Sequence, residues 1–298
     1  MTGCLPHPGP HGGDGVRLAA ALDVDPAAIL DLSASLNPAA PDTGEIVGKH
    51  LDVVGRYPDP RDATESLAGA MEADPARLLL TNGGAEAISL VAAELGGSVD
   101  EPDFGLYPRH GGPRWRSNPH NPSGRLAQRE EEAAVWDEAF FPLATGAWTR
   151  GDSDNGAIVV GSLTKLFACP GLRLGYVLAP DAETAARVAA RQPAWAVNGL
   201  AAASLTDLLG LADLAGWAAL VAAWRVALCD VLISYGLVPE PSDANYVLLR
   251  APGLRRRLAR CQVLIRDCAN FGLPDHVRIA VPGPEGLRRL SDALETST

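Results

Sequence analysis

The chain has 298 residues, 47% of them hydrophobic and 20% charged, which suits one large or two modest folded cores and excludes general disorder. The net charge of −11 argues against a nucleic-acid backbone as main partner, because such binding needs clustered positive charge, but leaves room for a local basic pocket for a small anion. Of 25 basic residues only Lys49 and Lys165 are lysines, the pattern of a GC-rich genome, and only lysine readily serves as an amine nucleophile.

In chain order, residues 1–15 read as an irregular arm rich in Gly, Pro and His. Val16–Leu22 is expected as a short helix and Ile29–Leu36 as an extended segment ending at Asn37-Pro38. Residues 39–60 are connection with a short helix near 44–53, and Ala63–Ala73 has helical periodicity. Arg77–Thr81, Asn82-Gly83-Gly84 and Ala85–Leu95 read as strand, glycine turn and helix. Ser98–Pro102 is a short strand, and 103–124 is too dense in Gly, Pro, Arg and Asn to be regular throughout. Ala133–Ala139, Ala157–Val160 and Leu172–Leu178 are further strands. The span 194–230 reads as one long helix or two, 244–250, 262–266 and 276–281 as strands, and 284–295 as the last helix. Strands alternating with helices predict an α/β domain with a mainly parallel sheet, and the C-terminal third a smaller α+β domain.

The five cysteines, Cys4, Cys169, Cys229, Cys261 and Cys268, include no CxxC pair, so neither zinc nor a redox dithiol is suggested. No metal site is expected. The start of the sequence has no signal-peptide pattern. The most apolar stretch, 200–228, is interrupted by Ser204, Asp207, Asp213 and Arg225. The expectation is a cytoplasmic protein without nucleic-acid or membrane partners.

Four segments carry chemistry. Val159-Val160-Gly161-Ser162-Leu163-Thr164-Lys165 delivers two hydroxyls and a lysine from a strand end, and Arg173 follows between glycines. Hydroxyls plus arginine suit a phosphate clamp, and a lysine beside one suits a Schiff base with a phosphorylated aldehyde. The same segment fits the S-x-x-K pattern of serine acylases, but neither lysine is followed by Thr-Gly, and no G-x-S-x-G elbow exists. Asp137, at a strand end in Trp136-Asp137-Glu138-Ala139-Phe140, suits a cationic partner such as a pyridinium nitrogen; by itself it reads equally as a solvated carboxylate. Asn121 lies in the rigid turn Asn118-Pro119-His120-Asn121-Pro122-Ser123-Gly124, and Gly84-Ala85 open a helix whose N–H groups can hold a phosphate.

In this order the segments resemble the fold-type I pyridoxal-phosphate enzymes of the class I/II aminotransferase group, over roughly 11–282. The resemblance implies an α/β aminotransferase-like large domain over 46–193. It also implies a small domain from 1–45 and 194–298, the latter beginning with a connecting helix. Pyridoxal 5'-phosphate would be bound to Lys165, with Asp137 on the pyridinium, Asn121 on the ring oxygen and Phe104 stacked on the ring. Gly84, Ala85, Ser162, Thr164 and Arg173 would surround the phosphate, joined by Tyr57 from the other subunit of a homodimer. His11, Asn37, Arg266 and Arg278 would bind a small anionic amino-acid or amino-phosphate substrate.

Two branches are close. His11-Gly12-Gly13-Asp14, Leu32–Pro38, Arg56-Tyr57-Pro58-Asp59-Pro60, Ile265–Phe271 and Phe140 look more like the threonine-phosphate decarboxylases, which implies formation of 1-amino-2-propanol phosphate for the cobalamin side chain. The alternatives are a histidinol-phosphate-type aminotransferase acting with 2-oxoglutarate and a non-catalytic shortened homologue. The intervals are short: 35 residues separate Glu86 from Asn121 and 16 separate Asn121 from Asp137, so one or more strand–helix units are expected to be missing.

Overall fold

In the computed structural model, which describes residues 5–297, strands form two separate sheets. They are β1 (Leu30–Leu32), β2 (Leu78–Asn82), β3 (Ser98–Val99), β4 (Arg114–Ser117), β5 (Val135–Asp137), β6 (Ile158–Gly161), β7 (Leu174–Leu178), β8 (Tyr246–Arg250), β9 (Val263–Asp267) and β10 (His276–Ala280). The larger sheet has the order β2-β7-β6-β5-β4-β3. Its β3–β6 strands run parallel, and only β7 opposes its neighbours. The smaller sheet has the order β1-β9-β10-β8, parallel between β1 and β9 and antiparallel elsewhere.

The central strands are buried on both faces, as their uninterrupted apolar runs require: every residue of β6 and β7 is buried. On one face the helix Gly84–Leu95 packs Ala87, Ile88 and Val91 against Val135, Ile158, Val160 and Val177. On the other, Leu67, Leu205 and Leu208 meet Leu80, Val159, Leu174 and Tyr176. The smaller sheet has its own core of Val247, Leu249, Ile265 and Ile279.

The expected helical span 194–230 is two helices, Gly199–Gly210 and Leu214–Ser234. Asp213 separates them, its carboxylate capping Gly216 N–H at 2.9 Å. The second helix is, by length and composition, apolar enough to cross a membrane. Here it is a strut: Trp217 enters the large-sheet core, while Leu228 and Leu232 enter that of the small sheet.

Two expected strands are shorter than their apolar runs. β1 stops at Leu32 because Asp31 accepts from both the N–H and the hydroxyl of Ser33, which bends the chain away. The run Ala133–Ala139 is strand only over β5. In return, the irregular-looking span 103–124 contains β4, whose Arg-Trp-Arg-Ser alternation places Trp115 and Ser117 inward. Both parallel connections here, 100–113 and 118–134, lack a helix.

Candidate active site

Parallel strands present ligands at their carboxyl ends. Here the ends of β4, β5 and β6 open into a cavity of about 590 Å³ between the two sheets. Ser117, Asp137 and Gly161 close those three strands, and all three line it.

Lys165 follows β6 on the short helix Leu163–Leu166. Burial, Arg278 and Arg173 together lower its amine to about 8, against the pull of Asp137. About a tenth of the amine is therefore neutral at pH 7, far more than for an ordinary lysine, which favours a nucleophilic role. Asp137 is moved the other way. Burial pushes its carboxyl up to about 6, despite hydrogen bonds that favour the charged form. Its Oδ1 accepts from Ala139 N–H at 2.9 Å and its Oδ2 from the Tyr107 hydroxyl at 2.7 Å.

Asn121 is fixed from two sides. Its N–H donates to Ser117 Oγ at 2.8 Å, and its Oδ1 accepts from Arg278 Nη1. Arginine can only donate, so the amide oxygen must face Arg278 and the Nδ2 hydrogens remain for the cavity. Arg278 is itself buried, its guanidinium 4.3 Å over the Tyr246 ring, and its Nε has no partner among the described residues. A buried guanidinium without a carboxylate partner is suited to an anion.

A glycine turn forms one wall. Gly83 has φ +79°, and a Cβ there would lie 2.4 Å from Arg173 Nη2. Gly175 presses on the same turn: its Cβ would lie 2.4 Å from Gly83 C and 2.5 Å from Gly84 N. Only glycines permit this approach. Gly84, Ala85, Ser162, Thr164 and Arg173 thus face one end of the cavity. The Thr164 hydroxyl lies 3.2 Å from Leu174 O, to which it can donate.

The arm folds in from the other side. Arg266 holds it through the carbonyls of Gly9 (3.3 Å) and Pro10 (2.6 Å) and also donates to Asn270 Oδ1 (3.0 Å). This brings His11 into the cavity, 5.8 Å from the Phe104 ring. Burial first, then Arg266 and Lys165, lower the His11 pKa, so its neutral form is favoured.

The structure thus gathers His11, Gly84, Ala85, Phe104, Asn121, Asp137, Ser162, Thr164, Lys165, Arg173, Arg266 and Arg278 around one cavity. Two expected residues lie outside it. Asn37 is buried, with Nδ2 donating to Leu166 O and Oδ1 accepting from Ala39 N–H, both at 2.9 Å. Its amide braces the turn behind Lys165. Tyr57 is 80% exposed and stacks on Trp195 with ring centroids 4.7 Å apart. The sequence reading overlooked Tyr107, Asp103 and Ser117. Asp103 is buried and accepts from Ser117 Oγ at 2.5 Å, and Ser117 in turn holds Asn121. An aromatic three residues after Phe104 was the available signal for Tyr107; the two small polar residues had none.

The family model for aminotransferase class I and II matches residues 115–294. The chain belongs to the class I and II aminotransferase family. It is 30% identical to the threonine-phosphate decarboxylase of Salmonella typhimurium, over 95% of either protein. It is 28% identical to the histidinol-phosphate aminotransferase of Halorubrum lacusprofundi, over 91% of this chain and 90% of that one. The first alignment spans 353 positions, more than the chain's own length, so the relative carries segments that this aminotransferase-family protein lacks. The fold is that of the histidinol-phosphate aminotransferase from Sinorhizobium meliloti solved with pyridoxal-5'-phosphate. The TM-score is 0.80 at 16% identity, covering 98% of this chain and 95% of that one.

This family's members are pyridoxal-phosphate enzymes, and the cavity fits that group. A lowered lysine amine, a carboxyl raised by burial in want of a cation, a free amide donor and a glycine-walled turn beside Arg173 match its aldehyde, ring nitrogen, ring oxygen and phosphate.

Proposed function

We propose that the protein decarboxylates L-threonine O-3-phosphate with pyridoxal phosphate. The observation that carries this reading is that Lys165, Arg278 with its buried Nε lacking a partner among the described residues, and the arm-borne His11 face one cavity. Such a site can read an amine, a carboxylate and a second anion together. The similarity to a threonine-phosphate decarboxylase along 95% of the chain supports it.

In this reading Lys165 holds the cofactor covalently through its amine, and Asp137 keeps a proton on the ring nitrogen. Asn121 Nδ2 donates to the ring oxygen, and Phe104 packs on the ring. Gly84, Ala85, Ser162, Thr164 and Arg173 surround the phosphate. Tyr57 reaches that phosphate from the second subunit of a homodimer, a role that its exposure beside exposed Trp195, Val54 and Leu51 supports. When bound, pyridoxal phosphate supplies an electron sink for the bond broken at the substrate α-carbon. Arg278 takes the substrate carboxylate and sets its angle to the ring, and His11 takes the substrate phosphate. Arg266 acts one step back by holding the arm that carries His11. Lys165, lowered to about 8, is suited to return a proton to the α-carbon once carbon dioxide has left.

Amino transfer from histidinol phosphate is the second reading, favoured by the 28% identity to such an enzyme along 91% of the chain. There Lys165 would remove the α-proton instead. Carbon dioxide release from threonine phosphate, measured beside glutamate formation from histidinol phosphate and 2-oxoglutarate, separates the two. Glutamate without carbon dioxide would overturn the first, and neither product would overturn both.

A further inference from the structure

We infer that Tyr107 is a positioning residue whose hydroxyl aims the Asp137 carboxylate at the cofactor's ring nitrogen and restrains its basicity. The inference rests on the proposed role of Asp137 toward that nitrogen.

The geometry comes first. Tyr107 is 4% exposed, its ring 5.6 Å from both Trp115 and Phe104. Trp115 belongs to the core between the large sheet and the helix Gly84–Leu95. Tyr107 therefore approaches Asp137 from the core side with a ring that packing holds in place. Its hydroxyl donates to Asp137 Oδ2 at 2.7 Å, while Ala139 N–H donates to Oδ1 at 2.9 Å. One fixed donor on each oxygen sets the plane of the carboxylate, and each oxygen retains a lone pair for a third donor. A phenol is also the right donor here. Burial and the neighbouring carboxylates of Asp137 and Asp103 hold the Tyr107 proton firmly in place, so it stays a neutral donor.

The charges around Asp137 show why such a donor is needed. Besides Tyr107, the groups that face it are Asp103, Lys165, Tyr176 and Tyr246. Asp103 repels the charge on Asp137, and Lys165, with its own amine lowered, compensates only in part. Without the phenol the carboxyl would take up a proton at higher pH and would lose its fixed plane.

The test uses full-length apoprotein and binding of pyridoxal phosphate, read by tryptophan fluorescence from pH 5 to 9. Tyr107→Phe keeps the ring against Trp115 and removes only the O–H. In the wild type, affinity should fall as pH drops through about 6, where Asp137 takes up a proton. In Tyr107→Phe that break should move up by about one to two pH units, the value of a hydrogen bond to a charged group. In Asp137→Asn it should vanish. An unmoved break in Tyr107→Phe, with the break lost in Asp137→Asn, overturns the role of Tyr107 alone. A wild-type break in Asp137→Asn overturns the Asp137 assignment, and the inference with it. Should Tyr107→Phe not fold, labelling of the five tyrosines with 13C at Cζ gives a second readout. One signal should shift as pH passes about 6 and stay still in Asp137→Asn; no such signal overturns the inference.

Discussion

Gly175→Ala tests whether the glycine turn is the phosphate wall. The new Cβ would lie 2.4 Å from Gly83 C, 2.5 Å from Gly84 N and 2.9 Å from Gly83 O, whereas ordinary contact begins at 3.4 Å. All three neighbours are backbone, so no side chain can swing aside. Gly175 is paired with Thr81 in the β2–β7 ladder, which resists movement from its own side. The turn must therefore retreat by about 1 Å, and overpacking of this kind costs about 1–3 kcal/mol. A displacement of that size at a positioned site also costs up to ~10²-fold in function. Urea unfolding of the apoprotein reads the first effect, and titration with pyridoxal phosphate reads the second. Gly171→Ala is the control: it lies in the same β-entry segment and its Cβ would meet nothing within 4 Å, so stability should stay within about 0.5 kcal/mol. Wild-type cofactor affinity in Gly175→Ala would refute the wall, and an equal cost in Gly171→Ala would refute the steric argument.

Lys165→Ala should fold normally yet give no Schiff-base absorbance with pyridoxal phosphate, and turnover should fall by at least about 10²–10⁴-fold. Arg278→Lys keeps the charge but loses the planar fork and the bond to Asn121 Oδ1; KM for the anionic substrate should rise about 10-fold or more while cofactor absorbance persists. Glu138 is buried, and burial pushes its carboxyl from 4.5 up to about 7. Between those values the folded state holds a proton that the unfolded state has released, so stability falls as pH rises through this window, by about 1.4 kcal/mol per unit and ~3 kcal/mol in all. Glu138→Gln should remove this contribution and leave only the smaller fall that Asp137, raised to about 6, causes at the acid end, as urea midpoints at pH 5 and pH 8 would show; an unchanged slope would count against the burial argument.

The parts of the site that read clearly from sequence are those that sit where a regular element stops. Asp137 closes β5, Ser162 follows β6, and Gly84 opens a helix, so a short pattern fixes both the residue and its place. Arg278 was legible through the resemblance, but its bond to Asn121 crosses 157 positions and emerges only once the two sheets are assembled. Asn37 shows the opposite failure. Its motif placed it near the site, yet the amide is consumed by Leu166 O, 129 positions away, and by the nearby Ala39 N–H, partners that the motif does not reveal. Tyr107, Asp103 and Ser117 stayed hidden because they act through other residues rather than on a ligand.

The short intervals explain one more element that the sequence obscured. Parallel strands normally bring a covering helix with each connection, but 100–113 and 118–134 bring none. The face of β4 left without that cover must then be polar, and its sequence obliges with Arg114 and Arg116 flanking the inward Trp115. Glu131, from the second helix-free connection, bonds Arg114 at 3.0 Å and Arg116 at 2.6 Å, and the two guanidinium groups pull its carboxyl down to about 2. Asp100, from the first, takes Arg114 at 2.8 Å, and Arg150 lies 4.8 Å over the Trp136 ring. Each connection thus supplies an acid in place of a helix. The same arginines that made 103–124 read as loop are what allow a strand to stand there, and that strand ends at Ser117, the residue that holds Asn121 in the cavity.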